Sequence, residues 1–376
     1  MKSTTSVAVG SEVPFLDLSA QYQRIKPEID AAMQQVLNEA AFIGGRFVRE
    51  FEEQFASYLG VSEVIGVANG TDALEVILEA QGWDASAEVI VPANSFVATS
   101  EAVTRAGYRV VFADVKPETF TLDPEDVRSR ITGDTRAIVA VHLYGRPADL
   151  RSLASICDEH QLLLFEDAAQ AHGAQLDGTV VGAHGAASSF SFYPGKNLGA
   201  YGDAGAIATN DAKLAESMRM LANHGRITKY DHAFEGRNSR LDAIQAAVLS
   251  VKLRHLDDWI EHRRAIAERY LTALEGIDGL HLPATSPGLG HVYHLFVVRT
   301  DRRDELRDWL SQRGVRSGIH YPIALPRLDA YGQHPQADEP FVAANLAGEV
   351  LSLPIGDALA MSDVDRVCSA VRAFFR

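Results

Sequence analysis

From Glu63 to Ala169 the chain alternates between short β-branched runs and helix patterns, and this alternation constrains the fold more than any other feature. The runs "EVIGVA", "AEVIVP", "RVVFADV", "RAIVAVHLYG" and "LLLFEDAA" read as strands. Between them, "TDALEVILEAQ", "SFVATSEAVTRAG", "DPEDVRSRI" and "DLRSLASICDEHQ" read as helices. Strands joined by helical crossovers run parallel, because a tight hairpin can link only antiparallel neighbours. Near-continuous apolar strands also require cover on both faces. The pattern predicts an α/β protein with a mostly parallel central sheet covered by helices.

The flanks add material to this unit. "IKPEIDAAMQQVLNEA" and "RFVREFEEQFASYLG" are helical on either side of Gly44-Gly45, with Phe51, Phe55 and Tyr58 at helical spacing and Gly60 as a stop. "DAKLAESMRMLANHG" reads as another helix. A long connecting helix is expected from about Ser239 to Gly276, since Leu241, Ile244, Val248 and Val251 fall on one face. Glycine and proline then cluster in "GLHLPATSPGLGHVYHLFVVRT", which places a domain boundary near Gly276. Residues 1–275 are expected to form a large ligand-binding domain and 276–376 a smaller C-terminal α+β domain. In the latter, "HVYHLFVVRT" reads as a strand, with "RRDELRDWLSQRG" and "VDRVCSAVRAFF" as helices.

Charge and cysteine usage exclude several functions. With 35 Lys and Arg against 50 Asp and Glu, the net charge is −15, which disfavours nucleic-acid and anionic-membrane partners. An anionic ligand must then be held by local dipoles and a few placed donors. The two cysteines, Cys157 and Cys368, form no C-x-x-C pair and point to a reducing compartment without a zinc site. The opening "MKSTTSVAVGSEVPFLDL" lacks the apolar core of a signal peptide. No run approaches the ~20 apolar residues of a spanning helix, so a cytoplasmic location is expected. "PGKN" is no P-loop, and G-x-G-x-x-G, G-x-S-x-G and H-E-x-x-H are absent. His291 and His294 of "HVYH" would face opposite sides of a strand, so no metal is expected.

Three stretches could carry chemistry, each following a predicted strand. In "VANGTDAL" the residues Asn69, Gly70 and Thr71 open a helix. Free N–H groups and the helix dipole there suit a phosphate, although a plain helix cap by Asn or Thr is the more ordinary account of the stretch taken alone. In "LLLFEDAAQAHGA" a buried strand ends in Glu166 and Asp167, at the edge where open α/β sheets bind ligands. Such carboxylates need partners, and Gln170 can present its amide to the same space. In "SSFSFYPGKNLGAYGDAGAI" one cation, Lys196, sits on a glycine-rich connection between two strands. A solvated turn would explain it alone. Together the three supply what pyridoxal 5′-phosphate (PLP) requires: an amine for its aldehyde, a carboxylate for its pyridine nitrogen and a helix start for its phosphate.

"EDAAQAHGA", "SFSFYPGKNLGAYGDAGAI" and "GRNSRLDAIQAA", in this order, resemble the DegT-type PLP-dependent nucleotide-sugar aminotransferases of the fold type I, aspartate aminotransferase-like class. The likeness extends from "VPFLDLSAQYQRIKPEI" to "GIHYPIALP" and "LSLPI". It implies Lys196 as Schiff-base lysine and proton-transfer base, Asp167 as partner of the pyridine nitrogen and Gln170 near the phenolic oxygen. Gly70, Thr71 and Ser191 would hold the phosphate, and Phe96 would stack on the ring, where core packing is its plainer role. Asn238 would reach the phosphate of a neighbouring subunit, which implies a homodimer with shared active sites. His320 and Tyr321 would border the sugar, and His172 would be structural.

The activity so implied is transfer of an amino group from L-glutamate to a keto group of a dTDP- or UDP-linked sugar, through the pyridoxamine phosphate form. The product would serve polysaccharide or natural-product glycosylation. "YPGKNLGAYGDAG" is more similar to members acting on 3-keto sugars than on 4-keto sugars, and the 4-keto reading stays open. Dehydratases of the family replace the lysine by histidine, so Lys196 favours transamination. Lys196, Asp167 and Gln170 together argue against a non-catalytic regulatory role.

Overall fold

The computed structural model describes residues 12–286 and 288–376. Helices α1 (Leu18–Glu39) and α2 (Arg46–Leu59) come first, joined by a turn in which Gly44 and Gly45 take positive φ. The first helix starts earlier than its apolar pattern suggests, because the Asp17 carboxylate accepts the Ala20 N–H and caps it at Leu18.

The alternating region folds as the sequence predicts. In order it gives β1 (Glu63–Val67), α3 (Gly70–Glu79), β2 (Glu88–Pro92), α4 (Ala98–Arg105) and β3 (Arg109–Ala113). There follow α5 (Pro124–Ser129), β4 (Thr135–Val141), α6 (Leu150–His160) and β5 (Leu163–Asp167). Two further strands, β6 (Ala187–Ser191) and β7 (Gly205–Thr209), flank the lysine loop, and α7 (Ala212–Leu221) follows. These seven strands form one sheet in the order β1-β7-β6-β5-β4-β2-β3. The pairings among β6, β5, β4, β2 and β3 are parallel, and only β7 opposes its neighbours. The carboxyl ends of β1, β5 and β6 and the amino end of β7 therefore share one edge of the sheet.

Both faces are covered, and the division follows strand parity. Val89, Val91 and Val139 enter one apolar cluster, whereas Ile90, Ile138 and Ala140 enter another with Phe51, Phe55 and Phe190.

The expected long helix is two helices, α8 (Ala243–Leu253) and α9 (Leu256–Leu274). At the break, the N–H groups of Arg254 and His255 bond back three residues to Val251 and Lys252. No proline or glycine causes it. The bend instead lets Leu256 and Ile260 join the cluster that holds Leu249, while Ile266, Tyr270 and Leu274 reach a separate C-terminal core. That core is built on the antiparallel pair β8 (Phe296–Arg299) and β9 (Val350–Leu353), with α10 (Arg303–Ser311) and α12 (Met361–Phe374) against it. Helix α11 (Val342–Glu349) precedes β9.

The strand expected over His291–Thr300 is confined to Phe296–Arg299. Ahead of it, Tyr293 adopts φ 44° and its N–H donates to His291 Nδ1, with the two rings stacked at 3.9 Å. The strand-parity argument for His291 and His294 therefore does not apply. Among the described residues no helix is long and apolar enough to cross a membrane.

Candidate active site

At the shared sheet edge lies a cavity of about 1270 Å³, lined by residues from every stretch singled out above. Helix α3 begins there. Asn69 Oδ1 accepts the Asp72 N–H at 2.8 Å, so the cap reading of Asn69 is correct. The N–H groups of Gly70 and Thr71, in the first turn, are those that a helix leaves without partners of its own. Packing at this start is close: a Cβ on Gly70 would lie 2.6 Å from the Ser191 Cβ, and one on Gly205 2.4 Å from the Asn69 carbonyl. The glycines let α3, β6 and β7 converge, and Ser191 stands beside Gly70 on the cavity wall.

Asp167 and Glu166 end β5 on opposite faces, and the structure gives them different surroundings. Asp167 lines the cavity, with Oδ1 accepting the Ala169 N–H at 3.2 Å and Oδ2 the Thr99 hydroxyl at 2.8 Å. Glu166 is fully buried behind it. Its Oε1 accepts the His184 and Gly185 N–H groups, and its Oε2 accepts the Gly182 N–H and His142 Nε2. Because His142 Nδ1 accepts the Ala148 N–H at 3.0 Å, its ring proton is on Nε2. Burial pushes the Glu166 carboxyl up, but the His142 hydrogen bond and the Gly182 and Gly185 N–H groups outweigh it and hold it below its usual value. Glu166 is thus an ionised buried anchor. Glu166→Gln places an amide N–H₂ against donors and is expected to lower the unfolding free energy by about 3–5 kcal/mol, measured by urea denaturation.

Lys196 sits on a loop whose ends are tied by the Ala200 N–H to the Phe192 carbonyl, and whose turn is closed by its own N–H to Tyr193. A buried second lysine, Lys252, anchors the far arm by donating to the Gly199 carbonyl at 2.7 Å and to Gln21 Oε1 at 2.8 Å. Burial pushes the Lys196 amine down to about 8, with the Asp167 charge opposing. Around it, the histidines are neutral: His172, packed on Phe190 and Phe192, is lowered to about 3, and His320 to about 4, in both cases by burial and then by the Lys196 charge. His294 is held well below its usual value, by burial and then by the charges of Lys196 and Arg263.

A short polar chain fixes the opposite wall. Gln170 Oε1 accepts the Tyr144 N–H at 2.6 Å, and its Nε2 donates to the Tyr321 hydroxyl at 3.0 Å. The Tyr144 hydroxyl donates to the His320 carbonyl. Phe96, 54% exposed, leans toward Tyr321 with centroids 5.8 Å apart. The structure therefore brings Gly70, Thr71, Phe96, Asp167, Gln170, Ser191, Lys196, His320 and Tyr321 to one cavity. Asn238 is outside it, exposed just beyond Gly236 and Arg237, which do line it. Thr99, Tyr144 and Phe15 (stacked on His320 at 5.6 Å) are site features that the sequence reading did not single out.

The sequence profile described as the DegT/DnrJ/EryC1/StrS aminotransferase family matches residues 23–372. The chain belongs to the DegT/DnrJ/EryC1/StrS aminotransferase family. This aminotransferase is 45% identical, over 98% of its length and 97% of the relative's, to the dTDP-3-amino-3,4,6-trideoxy-alpha-D-glucose transaminase of Streptomyces venezuelae. A crystal structure of S. venezuelae DesV in complex with a ketimine intermediate is similar at TM-score 0.96 and 44% identity, covering 98% of this chain and 99% of that one. NtdA from Bacillus subtilis, crystallised with bound cofactor PMP, is similar at TM-score 0.91 and 31% identity, covering 97% and 86%. The aminotransferase thus has the fold type I architecture that its sequence implied.

Proposed function

We propose that this chain transfers an amino group from L-glutamate to the 3-keto group of a nucleotide-linked sugar, with pyridoxal 5′-phosphate as cofactor. The observation that carries the reading is the convergence on one cavity of a depressed lysine amine, an oriented carboxylate and a free helix start. The site fits the cofactor's chemistry. Gly70 and Thr71 N–H groups with the Ser191 hydroxyl form a cradle that a side chain at position 70 would fill. When bound, the cofactor supplies an aldehyde for amines and a ring that delocalises the negative charge left by proton removal.

The chain's own residues do the rest. Lys196, with its amine near neutrality, is poised to hold and release a proton at Nζ close to pH 8. Asp167 would face the pyridine nitrogen, Phe96 would cover a ring face, and Gln170 would direct its amide from the fixed position set by Tyr144. His320 and Tyr321 border the acceptor sugar. The volume, about 1270 Å³, exceeds the ~300–1,000 Å³ of a usual ligand pocket, which suits a cofactor together with a nucleotide-linked substrate. The likeness to the Streptomyces venezuelae dTDP-3-amino-3,4,6-trideoxy-alpha-D-glucose transaminase supports carbon 3.

The charge of the cavity supports sites shared in a homodimer. Asp72, Glu75, Glu79, Glu101 and Asp203 line the cavity, while Arg105 and Arg237 are already engaged by Glu75. Anionic phosphates need further donors, and Asn238 with Lys229 and the 85% exposed Tyr230 would supply them to a second copy. Residues 1–275 then act as the cofactor-binding domain and 276–376 as the smaller one. The free, buried thiols of Cys157 and Cys368 are in keeping with a cytoplasmic setting.

The test is spectroscopic. Purified protein loaded with PLP is expected to show a visible absorption band that L-glutamate bleaches, and that a nucleotide-linked 3-keto sugar restores. Restoration by the 4-keto isomer alone would move the acceptor position. No response to any amino donor would refute transamination and bring the dehydratase or regulatory readings forward.

A further inference from the structure

The carboxylate of Asp167 is held by a two-hydroxyl chain that starts on the loop before α4. Thr99, 1% exposed, places Oγ1 2.8 Å from Asp167 Oδ2, and Ser95, 3% exposed, places Oγ 2.8 Å from Thr99 Oγ1. A hydroxyl has one proton to donate. An ionised carboxylate only accepts, so the Thr99 proton is committed to Asp167. Thr99 can then only accept from Ser95, and the direction of the chain is settled as Ser95 to Thr99 to Asp167. The other carboxylate oxygen is met by the Ala169 N–H at 3.2 Å. Two fixed donors, one on each oxygen, thus leave the carboxylate a single orientation toward the cavity. The same short segment carries Phe96, so one helix start sets both a wall of the cavity and the aim of its anion.

We infer that Thr99, oriented by Ser95, is a positioning residue for Asp167 and that the pair keeps the carboxylate aimed at the cofactor's pyridine nitrogen. This rests on the proposed reaction for its functional part, but not for the direction of the hydroxyl chain. Thr99→Val is nearly isosteric and removes the donor. It is expected to lower kcat about 10–100-fold, as loss of an outer hydrogen-bond partner does at other sites, with KM for the donor within about threefold of wild type. PLP affinity, measured by fluorescence titration of the cofactor-free protein, should weaken too, by less than about tenfold. Thr99→Ser should recover most of both losses, and Ser95→Ala should fall between.

A Thr99→Ser variant as impaired as Thr99→Val would show that the methyl group, and hence packing, is what matters, and would overturn the inference. So would a Thr99→Val enzyme matching wild type. Neutron diffraction from a cofactor-free, deuterium-exchanged crystal tests the chain independently of turnover. The expected map has the Thr99 deuteron toward Asp167 and the Ser95 deuteron toward Thr99; the reverse order overturns the inference. If the wild type takes up no PLP, the proposed reaction fails, and the neutron map alone decides the direction of the chain.

Discussion

Lys196→Ala is expected to abolish turnover, by roughly 10⁴-fold or more, the scale seen when a nucleophile or general base that works as part of a unit is removed. No neighbour can replace it. The nearby His172, His294 and His320 are held neutral by burial and by the charge of Lys196 itself. Relieving that charge raises their basicity somewhat, but imidazole does not supply the primary amine that the proposed aldehyde chemistry needs. The other lysine near the loop, Lys252, has its ammonium fixed on Gly199 and Gln21 and faces away into the packed contact with Tyr201. The fold should survive, since the variant removes a desolvated amine rather than a structural partner. Its thermal midpoint should match or exceed that of wild type. The measurement is the visible spectrum with added PLP, followed by borohydride reduction and mass spectrometry. Wild type should gain a covalent adduct on Lys196, with capture rising as pH passes about 8, where the amine loses its proton. The alanine variant should gain none. An adduct at the same level in the variant would move the reactive amine elsewhere.

The alternation between Glu63 and Ala169 made the sheet legible, because period-two burial and helical crossovers are local consequences of the residue pattern. The three chemical stretches were legible for the same reason: each begins where a strand stops. What stayed hidden depends on tertiary choices. Glu166 and Asp167 are adjacent carboxylates on one strand, and parity says only that they face apart; which one meets the cavity depends on where Gly182, His184 and Gly185 return to the strand. The break at Arg254 and His255 has no breaker residue, and it arises because Leu256 is drawn into one core while the end of α9 is drawn into another. Tyr144 takes a left-handed conformation, φ 62°, to aim its N–H at Gln170, which no spacing announces. Thr99 did leave a signal. Ser95 and Thr99 are hydroxyls four residues apart around Phe96, at the end of a buried strand, and on a helix start such a pair is easily read as ordinary capping.

Asp167→Asn should leave a protein that still captures PLP on Lys196 yet turns over about 10²–10³-fold more slowly. The reasoning starts from charge. An anion next to a protonatable nitrogen raises its pKa by about 1–3 units, and each unit is worth about 1.4 kcal/mol, so removing the anion costs roughly 10–10³-fold in the protonated fraction. Asparagine preserves the volume but not the acceptor pair. Its one carbonyl oxygen can take the Thr99 hydroxyl or the Ala169 N–H, and its amide nitrogen then opposes the donor left over. The expected loss therefore lies toward the upper end of that range. The phosphate cradle at Gly70, Thr71 and Ser191 is untouched, so cofactor affinity should fall by about tenfold rather than vanish. This separates the two variants: Lys196→Ala loses the covalent adduct, whereas Asp167→Asn keeps the adduct and loses the rate. Glutamate half-reaction rates from stopped-flow absorbance, compared with PLP titrations on the same preparations, make the distinction. If Asp167→Asn reacts with glutamate at the wild-type rate, the carboxylate does not serve the pyridine nitrogen, and the cofactor lies in the cavity in another orientation.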